Sequence, residues 1–180
     1  MPFNRADYFV ATPATASSMP TFCSPNTGIL YKGVVNHNSA SPGGYLNFVP
    51  LLDCVADMQV VFGWDVVDGT GSEGQDGQLD TYSTPGAVTV SPSANSAFVT
   101  NALADPEKLR KSLKIIKVYV LAQVGRRDPN FQSAASFAVG DASNDAMSKS
   151  YDMTTTPAMR NYHWKLYRVV VRPKNLQSNQ

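Results

Sequence analysis

Met58, Val60, Phe62 and Trp64 alternate with Gln59, Val61 and Gly63, the period of a β-strand with one buried face. The stretch after this strand constrains the chain more than any other. Residues 65–80 are rich in Asp and Gly, with Asp65, Asp68, Glu73, Asp76 and Asp80 set among Gly69, Gly71, Gly74 and Gly77. A tight hairpin needs only about two loop residues. A strand that runs into so long a polar loop belongs to a β-rich fold, and the loop has three uses open to it. It can be a solvated connection built on Asp-Gly turns. It can gather hard oxygen ligands for calcium, with Asp65, Asp68, Glu73, Asp76 and Asp80 as the candidates. It can face a partner. Its spacing does not match an EF-hand loop.

The rest of the chain supports a mainly β architecture. Asp7-Tyr8-Phe9-Val10 reads as a short strand, 28–35 as a longer one, and 45–52 as extended apolar structure, with a turn-rich loop over 36–44 between the last two. Residues 84–100 are small and polar and read as connection. Asp105-Pro106-Glu107 is a helix start, because Asp caps free N–H groups, Pro suits the first helical position and Glu favours the positive end. The predicted helix is short, 106–112. Leu113 to Val124 then carries Ile116, Val118, Val120, Ala122 and Val124 on one face and Ile115, Tyr119 and Leu121 on the other, which predicts a strand covered on both sides. His163 to Arg172 is a last strand, stopped by Pro173. The expected fold is α+β, mainly β: one domain over 1–180, an antiparallel sheet, one short helix, and long connections at 65–80, 83–104 and 126–158. The sheet needs a covering layer, and no long amphipathic helix in the chain supplies it.

Composition narrows the function. Charged residues make up 16% of the chain, below the roughly 25% of ordinary soluble domains, and the net charge is +1. That balance gives no basic patch for nucleic acid and no pull toward an anionic membrane surface. No apolar run reaches the 18 or so residues of a membrane-spanning helix. The sequence contains no nucleophile elbow, Walker loop, dinucleotide Gly pattern or zinc-protease helix. His37 lies in a Gly/Ser/Asn loop and His163 opens a strand, so neither has the setting of a catalytic base, and a non-catalytic protein is expected.

Cys23 and Cys54 stand 31 positions apart, outside any metal-binding or redox spacing. Either they are two buried thiols, or they form one disulfide in an oxidising compartment. The low charge and polar loops favour the disulfide.

Read in order, several pieces resemble a known family. They are Asp7 to Val10, Cys23 to Tyr31, Leu51 to Val60 with the acidic loop ending at Leu79-Asp80-Thr81-Tyr82, the strand from Ile115 to Val124 led in by a short helix, and Tyr167-Arg168 with Arg172 to Leu176. Together they resemble the globular part of a PilW-type minor pilin of type IV pili, a family akin to the J-type minor pseudopilin of type II secretion. The segment 51–60 with the acidic loop after it is the most specific part, and 84–102 and 126–158 carry little of the likeness. The resemblance implies a pilin-like sheet without the family's N-terminal helix, either truncated or completed by a separate helix-supplying chain. Any membrane contact would then be made through that missing helix. It implies a structural subunit that primes pilus assembly and sits in the tip complex. Its partners would be other minor or major pilins and a tip adhesin. Its place would be the periplasm and inner membrane before assembly, then the extracellular pilus. The alternative from another class is an exported calcium-binding ligand-recognition module.

Overall fold

A computed structural model of the chain describes residues 6–12, 19–36, 45–141 and 144–173. The strands are β1 (Ala6–Ala11), β2 (Gly28–Asn36), β3 (Tyr45–Trp64), β4 (Thr81–Ser83), β5 (Val90–Ser91), β6 (Leu113–Val124), β7 (Ser136–Gly140), β8 (Ser148–Asp152) and β9 (His163–Val171). Two helices, α1 (Ser96–Ala104) and α2 (Pro106–Ser112), precede β6. Seven strands form one sheet in the order β1-β2-β3-β4-β5, with β6 pairing β3 and β9, while β7 and β8 form a separate two-stranded sheet. The pairs β1/β2, β2/β3, β3/β4 and β4/β5 are antiparallel. The chain is α+β and mainly β, as its alternating segments predict.

The chain divides into two compact units: Met1–Met58, Val120–Phe137 and Tyr151–Tyr167 in the first, and Gln59–Tyr119, Ala138–Ser150 and Arg168–Gln180 in the second. In the first, Ile29, Val55, Leu121, Met153, Met159 and Tyr162 are buried. Cys23 and Cys54 are joined by a disulfide with Cα atoms 5.1 Å apart. Next to it, the Ser24 N–H donates to Gln123 Oε1 at 2.7 Å, and the Gln123 amide donates to the Phe22 and Gly125 carbonyls. One side chain thus ties the cystine segment to the end of β6.

The second unit has its core in Trp64, Val66, Val90, Val99, Ala102 and Leu113, flanked by Phe62, Phe98, Leu109 and Ile116. The indole N–H of buried Trp64 donates to Ser83 Oγ at 2.8 Å, so the largest side chain of this core leaves no polar atom unmatched. Asp105 caps α2 as predicted, its Oδ1 accepting from the N–H groups of Glu107 and Lys108 at 2.8 and 3.3 Å.

Four expectations change. Residues 45–64 are one strand rather than two segments, with Cys54 at φ +55° and a register shift opposite Leu30 absorbing the irregularity. The end of β3 is covered on both faces, since Val61 and Trp64 point oppositely and are both buried. Gly63 permits this: a Cβ there would lie 2.3 Å from Ile115 Cγ2. Within 84–104, where only connection was expected, Ser96–Ala104 is a helix. Its small polar residues have modest helix propensity, and burial of Val99 and Ala102 holds it. Finally, the 126–158 connection contains the β7–β8 sheet, with Val139, Met147 and Met153 buried. The turn-rich stretch 37–44 and the terminal residues 174–180 lie outside the described residues.

Candidate functional site

The acidic loop leaves β3 at Asp65, whose backbone N–H donates to the Ser112 carbonyl at 2.9 Å. The Asp65 side chain is fully buried. Its Oδ1 accepts from the Asp76 N–H and its Oδ2 from the Gly77 N–H, both at 3.1 Å, and Lys114 Nζ lies 3.1 Å from Oδ2. Asp80 mirrors this at the other end of the loop. Its Oδ2 accepts from the N–H groups of Val66 and Val67 at 3.1 Å, and its Oδ1 accepts from the Thr81 hydroxyl at 2.6 Å. Each end of the loop therefore folds its neighbour's backbone around a carboxylate. These bonds have charged acceptors, which are the stronger kind.

One oxygen each from Asp65, Asp76 and Asp80 lies within 4.8 Å of the other two. The structure thus gathers three of the five residues expected as calcium ligands. Asp68 and Glu73 are engaged elsewhere. Asp68 Oδ1 accepts from the Thr70 N–H and hydroxyl and from the Ser72 N–H, closing a small turn. Those bonds, the Thr70 hydroxyl's foremost, hold the Asp68 carboxyl below its ordinary pKa. Glu73 takes Lys108 Nζ at 2.7 Å and the Asn101 amide at 2.9 Å, so it fastens the loop to α2 and α1. Its pKa is also lowered, first by the Lys108 hydrogen bond and then by the Asn101 one. A cleft beside this turn is lined by Val66, Phe98 and Ala102, with Glu73, Gln75 and Lys108 around it. Its polar groups are matched too, Gln75 donating to Ser112 Oγ at 3.0 Å.

The first unit presents a different kind of surface. Cross-strand register places Phe9 beside Tyr31 and Tyr31 beside Pro50, and Phe48 beside Gly33. Partners in register share a face, and alternate residues along a strand do so as well. Phe9, Tyr31 and Phe48 therefore meet on one face, with ring centroids 5.4 to 6.3 Å apart. The opposite face has the rows Tyr8–Lys32–Val49 and Val10–Leu30–Leu52, with Val34 beyond. Tyr8 is 55% exposed, Val49 47%, Leu52 39% and Val34 37%, and Phe48 on the first face is 55% exposed. Both faces of this ribbon are apolar and open. Among the described residues β1 pairs with β2 alone, so the ribbon also ends in a free strand edge. On β9, Val169, Val170 and Val171 are exposed in succession, another strand surface left uncovered on both faces.

Of the two histidines, one lies among the described residues. The His163 ring stacks on Phe131 with centroids 3.7 Å apart. His37 lies outside the described residues. One cluster was missed entirely. Lys117, on β6, pairs with Asp141 just after β7, and lies over the Tyr82 ring with Nζ 4.5 Å from its centroid. The sequence signal was faint: one of two lysines in a largely apolar strand, and an Asp after Gly140.

The described residues combine a packed scaffold with exposed apolar strand surface. No helix among the described residues is long and apolar enough to cross a membrane. No curated protein and no solved structure gives a match. The family described as Type IV Pilus-assembly protein W matches residues 7–175, nearly the whole chain. The chain therefore belongs to the type IV pilus-assembly protein W family.

Proposed function

We propose that this chain is a non-catalytic minor pilin domain that joins the assembling pilus and its tip complex by docking another pilin-like subunit on the β1-β2-β3 ribbon. The carrying observation is the open apolar face of Tyr8, Val34, Val49 and Leu52 around Lys32. Such a patch on a stable protein marks an interaction surface, and family membership supplies the setting, the pilus machinery of the cell envelope. Lys32 in the middle of the apolar rows favours a partner face that is apolar with a central carboxylate. The partners in view are other minor or major pilins, a tip adhesin, or a helix-supplying pilin chain, met before assembly at the inner membrane and later in the extracellular fibre. The test is co-purification with the remaining pilus subunits. Changing Tyr8→Ser together with Val49→Ser is expected to abolish recovery of a subunit and to reduce piliation while the melting temperature holds. Full recovery with the double variant would overturn the assignment.

A second reading keeps a calcium ion on Asp65, Asp76 and Asp80, and the convergence of their oxygens favours it. The ion would have to compete with Lys114 for Asp65. Titration calorimetry with calcium decides it, since a bound ion would also raise the melting temperature.

A further inference from the structure

The Lys117–Asp141 pair calls for an account that docking does not give. Its side chains are 13% and 6% exposed. Val139 and Met147 beside it are fully buried, and the Tyr82 ring covers the ammonium. Taking two charges out of water is costly, and mutual attraction offsets it only where the geometry is good and the remaining polar atoms are matched. The two groups come from separate elements 24 positions apart in the chain.

Asp141 is held in place by its backbone. Its carbonyl accepts from the Asn144 N–H at 2.9 Å and from the Ser148 hydroxyl at 3.0 Å. Gly140 before it has φ +146°, and a Cβ there would lie 2.3 Å from the Met147 carbonyl oxygen, so only glycine lets the chain make this approach. A third acid stands by. Tyr119 lies two residues from Lys117, on the same face of β6, and is 3% exposed. Its hydroxyl is buried and makes no hydrogen bond of ordinary geometry. Burial first, and then the charge of Asp141, raise its pKa and keep its proton on.

We propose that Lys117 and Asp141 condense into an intramolecular isopeptide bond, with Tyr119 as the neighbouring proton donor. The resting pair is ionic. Burial opposes the Lys117 ammonium, but the Asp141 hydrogen bond and the nearby negative charges outweigh it and raise its pKa. Transfer of one proton along the existing hydrogen bond gives the neutral amine and the neutral acid that the condensation needs. The Lys117 nitrogen then attacks the Asp141 carboxyl carbon. The C–N bond forms, a C–O bond breaks, and the departing oxygen leaves as water, taking its second proton from Tyr119, which recovers one from the amine nitrogen. Ammonium plus carboxylate becomes amide plus one water, and no other reactant is needed. Fixed geometry raises the effective concentration of the two groups far above that in solution, and the product removes both buried charges. The bond would fasten the β7–β8 hairpin covalently to β6.

Mass spectrometry of the whole reduced and alkylated chain tests this. The expected mass is one water below that calculated for the sequence with both cysteines alkylated. Trypsin should leave the chain uncut after Lys117 and release 115–126 joined to 128–149 as one branched peptide. Lys117→Arg, which keeps a cation beside Asp141, should restore the full mass, and Tyr119→Phe should slow the appearance of the lighter species after refolding. A wild-type chain of full mass, cut after Lys117 even after long incubation in the folded state, overturns the proposal, and that reading needs no variant to fold. Subunit docking plays no part in the measurement, so its result is independent of the docking proposal.

Discussion

The loop of residues 65–80 and the ribbon of β1, β2 and the first half of β3 invert each other's chemistry. The loop is acidic and polar, yet its carboxylates are turned inward or along the chain to N–H groups, hydroxyls and lysines. The ribbon is apolar and aromatic, yet its side chains stand in the open on both faces. Polar groups satisfied within the chain hold a shape and ask nothing of a partner. Apolar groups left exposed remain able to bury surface later. The difference teaches that charge density does not mark where surface is left to bury, which is on the strands.

If that comparison is right, the loop should matter to folding and little to docking. Asp65→Ala removes the acceptor of two backbone N–H groups and strands Lys114. Lys114 is 29% exposed, so the loss is chiefly that of two hydrogen bonds to a charged acceptor, about 1.5–3 kcal/mol each. Denaturant unfolding should show a loss of that order, the largest expected here. A loss below about 1 kcal/mol would mean that the loop is not held from Asp65, which would weaken the contrast at its root.

The disulfide is the next lever. It secures the segment between β1 and β2 to the middle of β3, across a separation of 31 residues. Replacing Cys23 and Cys54 together by Ala should cost about 3–4 kcal/mol in the chain-entropy account for a loop of this size. Reductant should lower the stability of the wild type to that of the variant and leave the variant unchanged.

Acid gives a smaller and signed effect. Asp68 and Glu73 both have lowered pKa values in the folded chain. Each therefore contributes stability that is fully present above its unfolded pKa, near 4, and is lost as pH falls through the lower folded value. Both groups are solvent-exposed, so salt should damp the contribution. Glu73→Gln should flatten the decline of stability below about pH 4 without changing its slope at neutral pH.

Much of the scaffold was legible because it rests on local rules. Asp105-Pro106-Glu107 announced α2 through capping chemistry, and the two apolar faces of 113–124 announced a covered strand. Helix α1 was hidden because Ser96, Thr100 and Asn101 say little about helix, and only the burial of Val99 and Ala102 fixes it. At the acidic loop the sequence showed which residues carry oxygens but not their orientation. Asp65, Asp76 and Asp80 converge because backbone N–H groups fold around two of them, and Glu73 leaves the group because Lys108 and Asn101, on helices far along the chain, reach it first. The Lys117–Asp141 pair joins residues 24 positions apart by tertiary placement, so the sequence carried no more than a faint sign of it.

The finest test of the contrast is one that should barely touch stability. Tyr8 lies on β1, 55% exposed, in register with Lys32 and, through it, with Val49. Removing its ring exposes little that is now buried, and surface changes of this kind usually stay within about 0.5 kcal/mol. Tyr8→Ser should therefore unfold where the wild type does, yet recover less of a pilus subunit on co-purification, because tyrosine is over-represented among the few residues that carry most of an interface's binding energy. Asp76→Ala, on the exposed part of the loop, is the matched control and should leave recovery intact. If Tyr8→Ser binds as well as wild type while Asp76→Ala does not, the assignment of roles is reversed, and the polar loop rather than the apolar ribbon is the surface that the pilus reads.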